Sequence, residues 1–240
     1  MVSVAMAAYN GERFIRSQIK SIIDQMKEND ELVVSVNTST DNTLKIVQEM
    51  AEEDHRIVVI DNPVPGVNSN FDLALSNCHG DYIFISDQDD LWELNKIETV
   101  SQYLNEGYEM VFHDSASIDS NDQIIQESFF ANHTVNTSVI RTFAAPRQSG
   151  CCMGFTKGFL EAVLPIPDEV ESYDHWLAMM AVLRKKTIVI NDVLIKHRLH
   201  DSNVTVKKRR GLIEIAKSRM NLLKALKRRR SQTKKQGRGA

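Results

Sequence analysis

Acidic residues are almost missing from one end of this 240-residue chain. Residues 207–240 hold 14 of the 29 lysines and arginines but a single acid, Glu214. The tail therefore carries about +13 and residues 1–206 about −16, an asymmetry that the net charge of −3 conceals. Cysteine is also scarce. Cys78, Cys151 and Cys152 are an odd set with two adjacent members, which suits neither a disulfide framework nor a zinc-ligand spacing. A reducing cytoplasm is the simplest setting. Long apolar runs are lacking too. Met1 to Ala8 is apolar, yet it has no basic n-region and is short for a spanning helix, so it reads as a strand. No other stretch is long enough to cross a bilayer, and there is no internal repeat.

What remains is ordinary for a globular protein, with 42% hydrophobic and 25% charged residues. The length allows one large domain with a sizeable core and a short appendage. The pattern predicts a strand over Val2–Ala7, then the turn Tyr9-Asn10-Gly11 and a helix carrying Phe14, Ile15, Ile19, Ile22 and Ile23. A second strand, Glu31–Val36, ends in Asn37-Thr38-Ser39-Thr40-Asp41-Asn42, where Thr40 or Asp41 can cap the next helix. Ile57–Ile60 is a third strand. Gly66 to Asn70 reads as a loop into a helix containing Phe71, Leu73, Ala74 and Leu75, closed by Gly80. A βαβαβαβ order predicts a parallel sheet whose ligands lie beyond the strands' carboxyl ends.

The fourth strand, Tyr82-Ile83-Phe84-Ile85, is apolar on both faces and ends in Ser86-Asp87-Gln88-Asp89-Asp90. Three acids in four residues repel one another unless a positive group compensates. Asp87 and Asp89 are two residues apart and can share one ion, Mg²⁺ or Mn²⁺, which implies a diphosphate substrate. The competing reading is a solvated acidic turn. Further on, a helix through Ile97, Val100 and Leu104 precedes the strand Met110–Phe112, which His113 and Asp114 follow. Residues 119–149 read as an irregular lid or binding segment. A short helix over Phe159–Leu164 and a helix opening at Glu171 come next. Thr187–Ile190 is then a strand, followed by the apolar run Val193–Ile195.

Several stretches together resemble the family 2 glycosyltransferases, the inverting group with the GT-A fold. They are Met6-Ala7-Ala8-Tyr9-Asn10-Gly11, Ser39-Thr40-Asp41-Asn42-Thr43, Gly80 to Trp92, Gly150-Cys151-Cys152-Met153, Tyr173-Asp174-His175-Trp176-Leu177 and Arg198-Leu199-His200-Asp201-Ser202-Asn203. The likeness spans about residues 2–206 and is greatest to bacterial rhamnosyltransferase-type enzymes. It implies a mixed, mostly parallel α/β sheet flanked by helices, with a nucleotide-sugar half over about 1–112 and an acceptor half over about 113–206. It also implies a hexosyltransferase that uses a divalent metal and a dTDP- or UDP-sugar donor.

By that resemblance Asp87, Asp89 and His200 are the metal set and Asp174 is the catalytic base. Ala8, Tyr9, Asn37, Asn68, Asp87 and Gln88 are the nucleotide-sugar contacts, and Trp92 and Trp176 are candidates for stacking on the acceptor. Taken alone, Asp174 also reads as a first-turn acid favoured by the helix dipole, and His200 as a surface histidine. One departure stands out. Val36-Asn37-Thr38 occupy the place of the family's Asp-Asp-Gly, so Asn37 can hydrogen-bond a pyrimidine base but brings no charge.

In the tail, Leu212, Ile213, Ile215, Ala216, Met220, Leu222, Leu223 and Leu226 lie near helical spacing among basic residues. A basic amphipathic helix suits an anionic membrane, at about 1 kcal/mol for each basic residue near the surface. Nucleic acid fits less well, since the body is acidic and the tail lacks interleaved aromatics; a solvated tail is the plain reading. The expected protein is cytoplasmic, peripheral at the inner face of the plasma membrane, and extends a polysaccharide or lipid-linked glycan. The alternative is a weakened or inactive relative that binds a glycan or a partner.

Overall fold

The computed structural model describes residues 1–201 and 211–236. β1 (Val2–Ala8), β2 (Glu31–Asn37), β3 (Ile57–Asn62) and β4 (Tyr82–Ser86) alternate with α1 (Ile15–Ile23), α2 (Thr43–Glu53) and α3 (Val67–Ser76). The four strands pair in parallel in the order β3-β2-β1-β4, as the βα alternation predicts. Side chains alternate between two cores: Ile83 and Ile85 enter one and Phe84 the other, so β4 is buried on both faces. In α1, Ile15, Ile19 and Ile22 fall on one stripe and are wholly buried under the sheet.

The sheet continues through later elements. β5 (Leu91–Trp92) leads into α4 (Lys96–Asn105), then β6 (Met110–Ile118), β7 (Ile124–Gln126) and α5 (Val139–Ala144). A 3₁₀ turn over Gly150–Cys152 precedes β8 (Met153–Thr156), α6 (Lys157–Val163), α7 (Tyr173–Arg184) and β9 (Thr187–Arg198). The full order is β3-β2-β1-β4-β8-β6-β9-β5, with β7 on β6. β8 runs antiparallel to both β4 and β6, so it is the seam between the parallel first half and the rest.

Several boundaries differ from the sequence pattern. The strand expected over Met110–Phe112 runs on to Ile118, placing His113 and Asp114 in mid-strand rather than beyond its end. Asp114 survives burial there because it is satisfied, accepting from the Ser115 and Phe130 amides at 2.7 and 3.0 Å and from the Ser128 hydroxyl; His113 Nδ1 lies 2.8 Å from the Asp114 carbonyl, and its buried Nε2 has no hydrogen-bond partner among the described residues. The Asp114 bonds also order the start of the 119–149 segment, which contains β7 and α5. Thr187–Ile190 and Val193–Ile195 belong to one long strand, β9, paired with β6 through register shifts around Asp114. The α2 cap is Asn42, with Asp41 instead accepting from Thr43 and Glu12. Gly80 does not close α3, which ends at Ser76; a Cβ on Gly80 would lie 2.7 Å from the Ser3 backbone nitrogen, so glycine lets this segment abut β1.

The basic stretch is not a detached appendage. α8 (Leu212–Gln236) buries Leu222 and Ala225 in the core, and Arg229 donates to the carbonyls of Val163, Leu164 and Pro165. Residues 202–210, where part of the expected tail and of the Arg198–Asn203 stretch falls, lie outside the described residues. No helix among the described residues is long and apolar enough to cross a membrane.

Candidate active site

The carboxyl ends of β1, β2 and β4 open onto a cavity of about 420 Å³. Its wall includes Ala8, Tyr9, Asn37, Asp87, Gln88 and Asp89, six of the residues expected from the sequence. Gln88 fixes the rim: its Oε1 accepts from the Tyr9 amide at 2.7 Å and its Nε2 donates to the Tyr9 carbonyl at 2.8 Å. This two-point clamp ties the β1 turn to the acidic turn. Gly11 leaves room for it, since a Cβ there would lie 2.3 Å from Gln88 Oε1. Asn37 is buried and spends its amide hydrogens on the Asn62 and Val64 carbonyls at 3.1 and 2.8 Å.

Asp89 borders this cavity and a second one of about 440 Å³, which His200 also lines. His200 Nε2 lies 2.9 Å from Asp89 Oδ2, and its ring sits 5.0 Å from Phe14. Asp89 and His200 are therefore brought together, while Asp87 stands on the wall of the neighbouring cavity. Burial first, then the charges of Cys151, Asp90 and Asp89, hold the Asp87 carboxyl well above the usual range. Asp89 is raised by burial and by Asp90, against the pull of His200. A cation among these acids relieves that repulsion, and carboxylate oxygens with one imidazole are a donor set suited to Mg²⁺ or Mn²⁺. The residues fit the expected ion.

Asp174 lies in the first turn of α7, where its Oδ1 accepts from the Ser172 hydroxyl and from the His175 amide at 2.6 Å. The neighbouring Tyr173 ring stands 4.1 Å from Phe71, which lines the cavity at the ends of β1, β2 and β4. Burial first, then the charges of Asp87 and Asp174, push the Tyr173 phenol far up, so both acids act on one ring.

Three expected contacts fall elsewhere. Asn68 is not in the cavity wall: its Nδ2 donates to the Val170 carbonyl at 3.0 Å and its Oδ1 accepts from the Tyr173 amide at 2.9 Å. The helix starts at Val67 rather than after a loop, so Asn68 and Asn70 point to opposite sides. Asn70 is the one that lines the cavity, donating to the Ala8 carbonyl at 3.1 Å. Trp176 is 0% exposed, with Nε1 on the Val163 carbonyl at 3.0 Å, and Trp92 is 5% exposed beneath Lys96. Neither ring has a face to offer a sugar, because packing has taken it.

The sequence pattern gives His197 and Arg198 no role in the site. His197 lines the cavity and contacts Asp90 at 2.9 Å; burial opposes its charge, but the Asp90 carboxylate outweighs this and lifts the imidazole to about 12. Arg198 is 2% exposed and donates to the Asp89 carbonyl at 2.7 Å while stacking 4.5 Å from the Phe14 ring centre. A charged pair at the end of an apolar strand was the available signal.

The family described as glycosyl transferase family 2 matches residues 3–164. The chain is 28% identical over 222 residues to the Escherichia coli UDP-Glc:alpha-D-GlcNAc-diphosphoundecaprenol beta-1,3-glucosyltransferase WfgD, covering 87% of this chain and 81% of that protein. It is 42% identical over 101 residues to the dTDP-rhamnosyl transferase RfbG of Shigella flexneri, covering 39% of this chain and 34% of that one. Other curated relatives are matched over as little as 14% of their length. Its fold is similar to that of the mannosyltransferase PcManGT from Pyrobaculum calidifontis, solved with GDP-Man and Mn²⁺, with a TM-score of 0.64 at 22% identity over 84% of this chain and 57% of that one. The match of residues 3–164 takes in the β1 turn and the Asp87–Asp89 pair alike, and the chain belongs to glycosyl transferase family 2.

Proposed function

We propose that this chain is an inverting glycosyltransferase that moves a sugar from a nucleotide-diphosphate donor to a surface-polysaccharide or lipid-linked glycan acceptor. The observation that carries the reading is the Asp87–Asp89 pair at the carboxyl end of β4, facing the cavity at the ends of β1, β2 and β4, with His200 at 2.9 Å from Asp89. Asp87, Asp89 and His200 would hold a divalent ion, and when bound it supplies charge neutralisation for the diphosphate leaving group. Ala8, Tyr9, Asn37 and Gln88 wall the nucleotide, with Asn37 orienting the base through a hydrogen bond rather than a charge. Asp174 accepts the proton of the acceptor hydroxyl as positive charge develops on the sugar, and attack opposite the leaving group inverts the anomeric centre. The likeness to RfbG favours a rhamnosyl donor and that to WfgD a glucosyl one.

A lipid-linked acceptor also fits α8. Leu212, Ile213, Met220 and Leu223 are exposed there among exposed Lys217, Lys224, Lys227 and Arg230, a surface suited to anionic lipid at the cytoplasmic face.

The test is calorimetric titration of dTDP-rhamnose and of UDP-sugars, with and without Mn²⁺, into the wild type and Asp89→Asn. Metal-dependent binding of one donor that is lost in the variant supports the reading. No binding of any donor refutes it and leaves a glycan- or partner-binding module, in which Asn37 has disabled the nucleotide pocket.

A further inference from the structure

Behind the acidic turn lies a second group of ligand-type side chains that the proposed transfer reaction does not use. One ligand atom each from Asp90, Cys151 and His197 lies within 4.8 Å of the other two. The three come from separate elements: the turn after β4, the 3₁₀ turn before β8, and the last residues of β9. Asp90 is wholly buried and Cys151 is 1% exposed. Asp90 Oδ1 already serves the His197 ring nitrogen and the Arg198 amide, both at 2.9 Å. Its Oδ2 is buried with no hydrogen-bond partner. An unsatisfied oxygen of a buried carboxylate is costly, and its presence beside a thiol and an imidazole points to a missing electrophile.

We propose that Asp90, Cys151 and His197 form a second divalent-ion site, distinct from Asp87, Asp89 and His200, that takes a soft ion of the Zn²⁺ type. The inference rests on these three residues and holds whether or not the donor reading does. A carboxylate, a thiolate and a neutral imidazole balance a doubly charged ion, leaving the buried site uncharged. Thiolate selects Zn²⁺ over Mg²⁺ and Mn²⁺, whereas the oxygen-rich set in front has the opposite preference. Ligand atoms around tetrahedral Zn²⁺ stand about 3.3–3.6 Å apart, so the group closes on the ion by small side-chain movements. Coordination sends to solvent the protons held by the Cys151 thiol and the His197 imidazolium, since the ion takes the thiolate and the neutral imidazole. Three protein ligands leave a fourth position, and Cys151 and His197 both border a cavity of about 160 Å³ beneath Phe129 and Phe130 through which an ion and its water can enter. Ser149 Oγ, 3.3 Å from Cys151 Sγ, is placed to hydrogen-bond the bound sulfur.

Titration of Co²⁺ into the chelator-stripped protein tests the proposal, because thiolate ligation produces a charge-transfer band in the near ultraviolet. The expected result is one equivalent of band-forming Co²⁺ per chain, displaced by Zn²⁺, absent in Cys151→Ser and retained in Cys152→Ser. Asp89→Asn, which disables the front site, keeps the band. Circular dichroism confirms that the variants fold. No band in the wild type overturns the proposal without recourse to any variant. A band that survives Cys151→Ser, or that disappears with Asp89→Asn, overturns it as well.

Discussion

Lys96 is a fully buried lysine beneath the site. Its Nζ donates to the Cys151 carbonyl at 2.7 Å and lies 3.9 Å from the centre of the Trp92 ring. Burial lowers its pKa from 10.5 to about 8, although the nearby thiols and carboxylates pull the other way. At about 1.4 kcal/mol per pKa unit, holding the charge inside costs about 3 kcal/mol relative to the unfolded chain. The sign follows from proton counting. Between about pH 8 and 10.5 the unfolded chain keeps the proton that the folded chain has lost, so stability rises with pH across that window. Below about pH 8 both states are charged and the cost is present in full.

Lys96→Met removes this dependence. Near pH 7 the variant gains the relief of the charge but loses the bond to the Cys151 carbonyl and the ring contact, terms of about 1–3 and about 2 kcal/mol, so the two proteins are close in stability. By about pH 10 the wild type has gained about 2–3 kcal/mol on the variant. Urea unfolding of both proteins at the two pH values, with EDTA throughout, measures the change. A stability difference that stays constant within about 1 kcal/mol between those pH values refutes the reasoning.

Four further outcomes are expected. Asp174→Asn lowers kcat by about 10²–10⁴ while leaving the donor dissociation constant unchanged, which single-turnover transfer and calorimetry separate. Gly11→Ala drives a methyl group against Gln88, breaks the two bonds to Tyr9 and weakens donor binding, with a cost of about 1–3 kcal/mol read by titration. Trp176→Ala leaves a large cavity in the core and destabilises the fold by about 3–5 kcal/mol in denaturant melts, with donor affinity intact in the folded fraction. Reversing the exposed charges of Lys217, Lys224 and Lys227 to glutamate releases the protein from anionic vesicles at low salt while Leu222 and Ala225 keep α8 docked; retained binding discards the membrane surface.

The first half of the fold was legible because its signals are local. Alternating apolar strands and helices with turn residues at their ends specify β1 to β4, and the acids after Ile85 stand out against the run before them. The second half is built from longer-range compensation. His113 and Asp114 look like the end of a strand until Phe130 and Ser128, far along the chain, satisfy Asp114. The pattern reads residues 66–70 as a loop, which gives Asn68 and Asn70 no defined faces; on the helix that forms there, an offset of two residues puts them on opposite sides. The tryptophans carry the same lesson in another form, since an aromatic ring beside a motif serves packing as readily as ligand. The Asp90, Cys151 and His197 group has no sequence signature, because its members lie in three distant segments and share no spacing rule.

The order of strands also fixes when the site comes into being. Asp90 meets its histidine partner across 107 residues and Asp89 across 111, so these acids leave the ribosome long before His197 and His200 do. A nascent chain halted before β9 presents β5 unpaired and β6 without one of its neighbours, and an acidic turn lacking His197 and His200. The parallel first half can collapse early on its own contacts, whereas closure of the second half waits on some of the longest loops in the molecule. Pairing of the acidic turn with its two histidines is thus a late event in biosynthesis.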